Sequence, residues 1–584
     1  MFLGGYVQKV MFPLVMVLTI ALLSSFVVSV TIIPLAAPFI IRHAGKDERP
    51  VLKVLNRFAG YFQSAFVDKA RDFFEESFGF VNRHKVVFLV GILILLPISM
   101  KLMAIVGRDL MPPMDTGIVK VRVETESDFT VGRTEQLMSD IEVIVAEQEG
   151  VLEQLSYIGG EAGLVSFGKG RTSQQIEMTI NYIDRFQRDE SIWELEDVLR
   201  QEIQKLQGVK YVDVTEFGAT PLSSIAATVD VQLEGNDFDI LDQVGQEMAG
   251  ELSKRPGFTS VSRSWAKDRP EYHLVFDRHE CARQGLTPVD VSYQVAIASR
   301  GVPVSVMRTF NQDGVKIRFR LDTSSRESME RLLSIPIQTP KGLQIPLSSL
   351  ARAEKVFVPS VITRSGLSYT TNVFGLRATA PVSFLYDQRN VAVDNVDLPK
   401  GVTVSSQGEM KEMNSAFGRL GKALVVSIIF LYFTFVIIFR SYLEPVVIML
   451  SIPFAAIGGV WGLLIMDKHG CMPAFMGFIL LTGVIVNNAI LLIDFIKVYR
   501  KEGHTLDEAV KMAIRVRTRP ILMTAITTIV GMVPIAAEQA IGLERLSPLA
   551  VVAIGGLIVG TFLTLIYIPV LYILKERIIG KAGA

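Results

Sequence analysis

Residues 483–495 read GVIVNNAILLIDF, an apolar run interrupted by two adjacent amides, Asn487 and Asn488, and by one carboxylate, Asp494. Apolar residues continue on both sides, so 473–496 is long enough to cross the roughly 30 Å hydrocarbon core of a bilayer as one helix. Asn487 and Asp494 are two helical turns apart, which places them on nearly the same face of that helix. Because polar groups inside a membrane are costly, this stripe is a candidate functional site.

Six further segments have the length and composition of membrane-spanning helices. They are 12–36, 86–105, 420–439, 445–466, 519–537 and 549–574. The first is too long for a signal peptide and lacks a small-residue cleavage site, so we expect it to be retained. The mean hydropathy of +0.38 and the net charge of zero are averages over the whole chain. They hide the difference between these apolar ends and a long stretch of soluble character between them. The chain is therefore predicted to be a polytopic membrane protein with seven spans and a large aqueous insert.

Positive charge is distributed unevenly over the loops between the spans. Lys and Arg are frequent in 41–85 and in 497–519, as in cytoplasmic loops, whereas 467–472 and 538–548 hold few. Alternation of the spans then places the insert, 106–418, on the opposite side of the membrane. In the first basic segment, phenylalanines at helical spacing among charged residues predict an amphipathic helix on the cytoplasmic leaflet.

The insert repeats a plan of strand, helix and strand. Copies begin at TGIVKVRVE (116–124), QQIEMTINYID (174–184) and ATVDVQLEG (227–235), and a degenerate fourth copy lies at 360–410. Such repeats predict small α+β subdomains of the ferredoxin-like βαβ type. A different module, at about 270–352, is interpreted as an insertion into one repeat.

Sequence patterns of a bound cofactor are missing. The glycine-rich stretch 159–170 lacks the lysine-serine ending of a P-loop, and the six histidines and two cysteines have no metal-ligand spacing. We therefore predict no cofactor, no metal centre and no nucleic-acid partner.

Several motifs in order resemble the resistance-nodulation-division (RND) efflux permeases, in particular their hydrophobe and drug exporting branch. Besides the opening stretch they are TIIPL (31–35), DLMPPMDTG (109–117), IPLSSLA (345–351), FRSYLEPVVIMLSIPFAAIGG (439–459) and RVRTRPILMTAITTIVGMVPIA (515–536). The resemblance extends over nearly the whole chain. It implies the last span of the first half of such a permease, followed by the entire second half.

The resemblance also implies a division into domains. These are a transmembrane span at 1–40, a cytoplasmic connecting helix at 41–85, a span at 86–106, a first porter subdomain at 107–220, a second at 221–268 and 353–412, a docking subdomain at 269–352 and a five-span bundle at 413–584. The implied partners are the N-terminal half, a periplasmic adaptor, an outer-membrane channel and two further protomers of a homotrimer in the inner membrane. The implied activity is proton antiport without covalent chemistry, so the chain is not expected to be an enzyme.

In RND permeases the polar stripe of this span meets two aspartates on a helix of the first half, whose protonation drives the cycle. The resemblance assigns Asn487, Asn488, Arg517, Thr524 and Asp494 to this relay. The amides and the hydroxyl also fit structural hydrogen bonding between helices, and Arg517 also obeys the positive-inside rule. Because none of the spans has an acidic residue at mid-membrane, we expect that the chain cannot export on its own.

Two methionines of the first porter subdomain, Met138 and Met178, keep a second function open. Thioethers suit Cu(I), so export of copper or silver by the metal branch is an alternative, although methionine also fills cores. A non-transporting membrane scaffold and a relative of the family's protein-export branch are further alternatives.

Overall fold

The computed structural model describes residues 5–44, 68–159, 172–217, 225, 227–308, 314–324 and 327–582. Most of the predicted connecting helix and nearly all of the glycine-rich stretch therefore lie outside the described residues. The end of the connecting helix is present as α3 (Lys69–Arg83), in which Phe74 and Phe78 are buried.

Long apolar helices form the bundle. They are α1 (Gly5–Val30), α2 (Ile32–Ala44), α4 (Lys85–Val106), α12 (Gly408–Phe439), α13 (Leu443–Met449), α14 (Ser451–Ile465), α15 (Met472–Lys501), α16 (Leu506–Ala536) and α17 (Ser547–Ala582). Within the described residues, seven helical stretches are long and apolar enough to cross a membrane, and they coincide with the seven predicted segments. Two of these stretches are each formed by two consecutive helices, namely α1 with α2 and α13 with α14.

The last helix, α17, lies at the centre of this bundle. Its residues Ile566, Ile568 and Ile573 belong to a buried core together with residues of α14, α15 and α16. Glycines allow α14 to approach α17 closely, because a Cβ atom built on Gly458 would lie 2.2 Å from the carbonyl oxygen of Gly555. Small residues at such crossings are typical of membrane helices.

The first part of the insert is one antiparallel sheet with two helices. Its elements are β1 (Ile118–Thr125), α5 (Val131–Ala146), β2 (Val151–Ile158), β3 (Gln175–Tyr182), α6 (Ile192–Gln204) and β4 (Val209–Glu216). The strand order is β2-β3-β1-β4. The two predicted strand-helix-strand copies are thus the halves of one βαββαβ unit. Burial alternates along β3, so that its apolar residues face the helices of this unit.

The second part repeats the same topology with residues that are distant in sequence. It contains β5 (Val229–Gly235), α7 (Phe238–Ser253), β6 (Ser260–Arg263), β13 (Thr363–Ser365), β14 (Ser368–Leu376), α11 (Val382–Asn395) and β15 (Thr403–Gln407). The sheet order is β13-β14-β5-β15, and β6 pairs with β14. The third and fourth predicted copies therefore form a single unit, whose chain is interrupted between β6 and β13.

The interrupting segment, Trp265–Ile362, forms a separate compact unit together with Glu126–Thr130. It contains β7 (Arg269–Phe276), α8 (Arg278–Arg283), α9 (Pro288–Arg300), β8 (Val302–Met307), β9 (Val315–Phe319), α10 (Met329–Leu333), β10 (Pro336–Gln338), β11 (Gln344–Pro346) and β12 (Ala351–Val358). Its strands form three antiparallel pairs, namely β7 with β12, β8 with β9 and β10 with β11. Its hydrophobic core includes Cys281, Val291 and Ile337.

Candidate functional site

The polar stripe of α15 lies on the surface of the chain. Asn487 and Asp494 are both exposed, as is Leu491 between them, so the predicted common face exists. Asn488 is only 5% exposed and therefore points away from that face into the packed bundle. The two adjacent amides consequently have different surroundings, and the stripe consists of Asn487 and Asp494.

The structure brings Arg517 of α16 against α15. Its guanidinium carbon lies 3.8 Å from the centroid of the Phe495 ring, which is a cation–π contact. Phe495 directly follows Asp494 in the sequence. Among the described residues no salt bridge joins Arg517 to Asp494, and the buried Nε atom of Arg517 has no hydrogen-bond partner. The hydroxyl of Thr524 donates to the carbonyl oxygen of Ile521, 2.9 Å away in the same helix. Arg517 is thus placed beside the stripe, whereas Thr524 makes its hydrogen bond within its own helix.

A second polar site, which the sequence motifs did not indicate, lies in the insert. A cavity of about 200 Å³ is bounded by α6, by the end of β4 and by the segments that follow β14 and α4. The side chains that line it include Lys120, Arg122, Trp193, Glu196, Glu216 and Arg545. It is a small cleft in which carboxylates and cations face one another.

Glu196 is the most unusual side chain of this cleft. It is only 2% exposed, and its Oε1 atom has no hydrogen-bond partner. Burial raises the pKa of its carboxyl group to about 8, although the Arg200 guanidinium acts in the opposite direction. Apolar residues that pack on the sheet, among them Ile192, Leu199 and Ile203, recur along α6 at helical spacing. Glu196 shares their buried face, and this spacing is the sequence signal that could have found it.

Glu216 brings a second carboxyl group to the cleft. Burial raises the pKa of Glu216 to about 7, and a hydrogen bond of 3.0 Å from the Thr116 hydroxyl limits the rise. Burial thus favours the protonated form of both carboxyl groups in this cleft.

A larger cavity, of about 720 Å³, separates the insert from the loops between the helices of the bundle. Buried ion pairs surround it. Arg188 binds Asp115, and Arg185 lies 2.8 Å from Glu544 of the loop before α17. The second of these pairs fastens the first βαββαβ unit to the bundle.

The two methionines that kept the metal branch open occupy ordinary positions in the first βαββαβ unit. Met178 lies in β3 with no exposed surface, packed in the core of the first unit, and Met138 is partly buried on α5. Met178 therefore has the ordinary role of a core side chain. In the described ranges, no group of three or more His, Cys, Asp or Glu residues is arranged to hold a metal ion. Both cysteines, Cys281 and Cys471, are buried and free.

A bundle of long apolar helices beside an insert that contains two βαββαβ units is the architecture of a multi-pass membrane protein with a large aqueous domain. The chain belongs to the AcrB/AcrD/AcrF family, the RND permeases, which it matches over residues 1–576. The sequence-based recognition of the RND family is thereby confirmed.

Two curated relatives have names that refer to metal cations. The chain is 27% identical over 600 residues both to the cation efflux system protein CzcA of Alcaligenes sp. (strain CT14) and to the cobalt-zinc-cadmium resistance protein CzcA of Cupriavidus metallidurans. Each alignment covers 98% of this chain and 54% of the relative. The chain thus spans about half the length of the curated relatives it matches.

Solved structures show the same fold. Two crystal forms of a heavy metal efflux pump align with TM-scores of 0.78 and 0.77 at 23% identity, covering 88% of this chain and 52% of the pump. The expected assignment to the drug-exporting branch is not supported by these comparisons. They fit the alternative, the metal-exporting branch, better, because the names of both curated relatives refer to metal cations.

Proposed function

We propose that the chain is the C-terminal part of an RND permease that exports divalent heavy-metal cations in exchange for protons. The observation that carries this proposal is the cleft with Glu196 and Glu216. One buried carboxylate oxygen of Glu196 has no hydrogen-bond partner, and carboxylate oxygens bind zinc and similar divalent ions. The names of the relatives, which include cobalt, zinc and cadmium, agree with this chemistry.

The donor set favours divalent cations over copper or silver. Soft Cu(I) prefers thioethers and thiolates, but Met178 is in the core and both cysteines are buried away from the cleft. In the cleft, a cation must displace the proton that each carboxyl group holds at low pH. A proton taken up there from the outer side would release the cation, which is the direction that export requires.

The exposed stripe of α15 supports the need for a second half. Asn487 and Asp494 face outwards from this chain although polar groups are costly in lipid, so we infer that another part of the permease covers them. Neither Asn487 nor Asn488 titrates. We infer that the N-terminal half supplies further carboxyl groups that carry protons through the membrane beside this stripe, and Arg517 would lie close to them.

The remaining features follow from this assignment. The seven apolar helices cross the inner membrane, and the insert lies in the periplasm, where its units meet an adaptor protein and an outer-membrane channel. The working permease is a homotrimer whose protomers each contain this chain and an N-terminal half. Its energy source is the proton gradient, with no bound cofactor.

Export of hydrophobic compounds is a second candidate because of one feature of the bundle. An apolar cavity of about 620 Å³ lies among α4, α12, α14 and α15, with Met100, Leu424 and Phe478 in its wall. A cavity of this size and lining suits an amphiphilic molecule that enters from the lipid.

One experiment separates the two candidates. The chain is expressed together with the N-terminal half in a bacterial strain that lacks its own exporters, and growth is measured in zinc, cobalt, cadmium, copper, silver, bile salts and a cationic dye. We expect protection against the divalent metals, lost in Glu196→Gln and kept in Glu202→Gln, an exposed carboxylate of the same helix. Protection against dyes and bile salts without protection against metals would overturn the proposal.

A further inference from the structure

We propose that Asp109, Arg377, Glu409 and His469 form a polar joint that passes movement of α15 to the insert. The inference rests on the proposed transport function, because it concerns how the membrane helices drive the insert. The four side chains come from four separate segments of the chain. Asp109 and Glu409 lie where the chain enters and leaves the insert. Arg377 lies between β14 and α11, and His469 lies in the loop between α14 and α15.

Asp109, three residues after the end of α4, is the centre of the joint. It has no exposed surface, and its Oδ1 atom accepts hydrogen bonds from Nη1 of Arg377 and from the backbone N–H of Val382, both at 2.8 Å. Its Oδ2 atom lies 2.6 Å from Nδ1 of His469. Both carboxylate oxygens are thus engaged, one by the insert and one by the loop between α14 and α15.

Arg377 extends the joint to the start of α12. Its side chain is 9% exposed, and Nη2 lies 3.4 Å from Oε1 of Glu409, the second residue of that helix. Nη1 also donates to the carbonyl oxygen of Ala380, 2.7 Å away, which fixes the turn that leads into α11. One guanidinium therefore holds two carboxylates from the two ends of the insert.

Backbone hydrogen bonds tie the same segments together. The Asp109 N–H donates to Gly470 O at 3.3 Å, and the Gly470 N–H donates to Gly107 O at 3.0 Å. The Met472 N–H, at the first residue of α15, donates to Leu110 O at 3.2 Å. The segment that leads from α4 into the insert is thus hydrogen-bonded directly to the N-terminal end of α15, the helix that carries the polar stripe.

Separation of Asp109 from Arg377 is costly, so the segments that carry them move together. Removing one partner of a buried ion pair leaves an unpaired charge and is strongly destabilising. Burial opposes the charge of Asp109, yet Arg377 and the hydrogen bond with His469 hold the pKa of this carboxyl group below its usual range. Asp109 consequently stays ionised near neutral pH, and a shift of α15 along its axis displaces the loop at His469 together with the start of α11.

The first test measures backbone exchange and does not depend on transport. In the purified chain in detergent, amide hydrogen exchange is compared for the wild type, His469→Ala and the control Asp242→Asn. The control breaks an ion pair of 2.8 Å with Arg263 inside the insert. We expect His469→Ala to speed exchange about tenfold both at 470–476 and at 380–386, because the Val382 N–H bonds to Asp109.

The control should leave both segments unchanged. An effect of His469→Ala confined to 466–476 would overturn the joint, because the loop would then move without the insert. So would equal acceleration at 380–386 in Asp242→Asn.

The second test uses the permease with both halves in proteoliposomes and separates coupling from mere structural support. We expect His469→Ala to lower the maximal rate of metal export about tenfold and to leave the half-saturating metal concentration unchanged. His469→Gln, which keeps a hydrogen-bond donor, should restore part of the rate. A raised half-saturating concentration at an unchanged maximal rate would contradict the joint. Absence of metal export in the wild type would refute the proposed function instead, and the exchange test would still decide the joint.

Discussion

Substitution of Gly458 by alanine tests the packing that holds the bundle together. The new Cβ atom would lie 2.2 Å from the Gly555 carbonyl oxygen and 2.8 Å from Cβ of Val559, whereas ordinary contacts begin at 3.4 Å. The obstructing atom is backbone, so α14 and α17 must separate by about 1 Å. Overpacking of this kind costs about 1–3 kcal/mol, and the better helix propensity of alanine returns at most about 1 kcal/mol. We expect a net loss of about 1–2 kcal/mol.

Gly483→Ala is the matched control for this change. Gly483 lies within α15 and is exposed, and a Cβ atom added to its backbone would meet no other atom within 4 Å. Alanine should therefore be neutral or slightly stabilising there. The assay is thermal unfolding of the purified chain in a mild detergent, followed by tryptophan fluorescence. Equal midpoints for Gly458→Ala and the wild type, or an equal loss in Gly483→Ala, would refute the close approach of the two helices.

Three further predictions concern single contacts. Glu196 has a folded pKa of about 8 against an ordinary value of 4.5, so the native state keeps a proton that the unfolded chain releases, and stability falls as pH rises between these values. In Glu196→Gln, the unfolding midpoint of the insert should therefore depend less on pH, and an unchanged pH dependence would contradict the burial of this carboxyl group. Arg517→Lys keeps the charge but loses the planar contact with Phe495, so we expect about 1 kcal/mol less stability in detergent unfolding and slower export by the assembled permease. Trp461→Phe removes the 3.1 Å hydrogen bond from Nε1 to Ser99 between α14 and α4, and unfolding should show a loss of about 0.6 kcal/mol.

The bundle was predictable from sequence because bilayer thickness sets both the length and the composition of a spanning helix. All seven predicted segments coincide with long apolar helices, and the periodicity of 483–495 correctly placed Asn487 and Asp494 on one face. The strand-helix-strand repeats and the interruption at about 270–352 were visible as well, because each strand-helix-strand copy is local in sequence.

What the sequence did not indicate depends on contacts between distant residues. The repeats gave no sign that β14 pairs with β5 across the interrupting unit, because the two strands are far apart in sequence and no hairpin turn joins them. The joint at Asp109 combines residues from four segments, and Arg517 stacks on an aromatic ring of another helix. Glu196 was overlooked although its spacing among apolar residues was available.

The choice of branch lacked support for a related reason. It relied on several short motifs, among them the membrane stretch with Asn487 and Asn488, but a transported cation is selected by the side chains that line its path. In the proposed function that path includes the cleft of the insert, where the carboxyl groups of Glu196 and Glu216 lie. The methionines that kept the metal branch open, Met138 and Met178, do not line that cleft.

The most direct test of the account is zinc flux through the reconstituted permease. Proteoliposomes containing this chain and the N-terminal half enclose a zinc-sensitive dye, and a pH gradient is imposed across the membrane. The account predicts zinc movement that requires the gradient and both halves, with Glu196→Gln slowing it strongly and Glu202→Gln leaving it unchanged. Zinc movement of the same rate without a gradient, or with this chain alone, would contradict it.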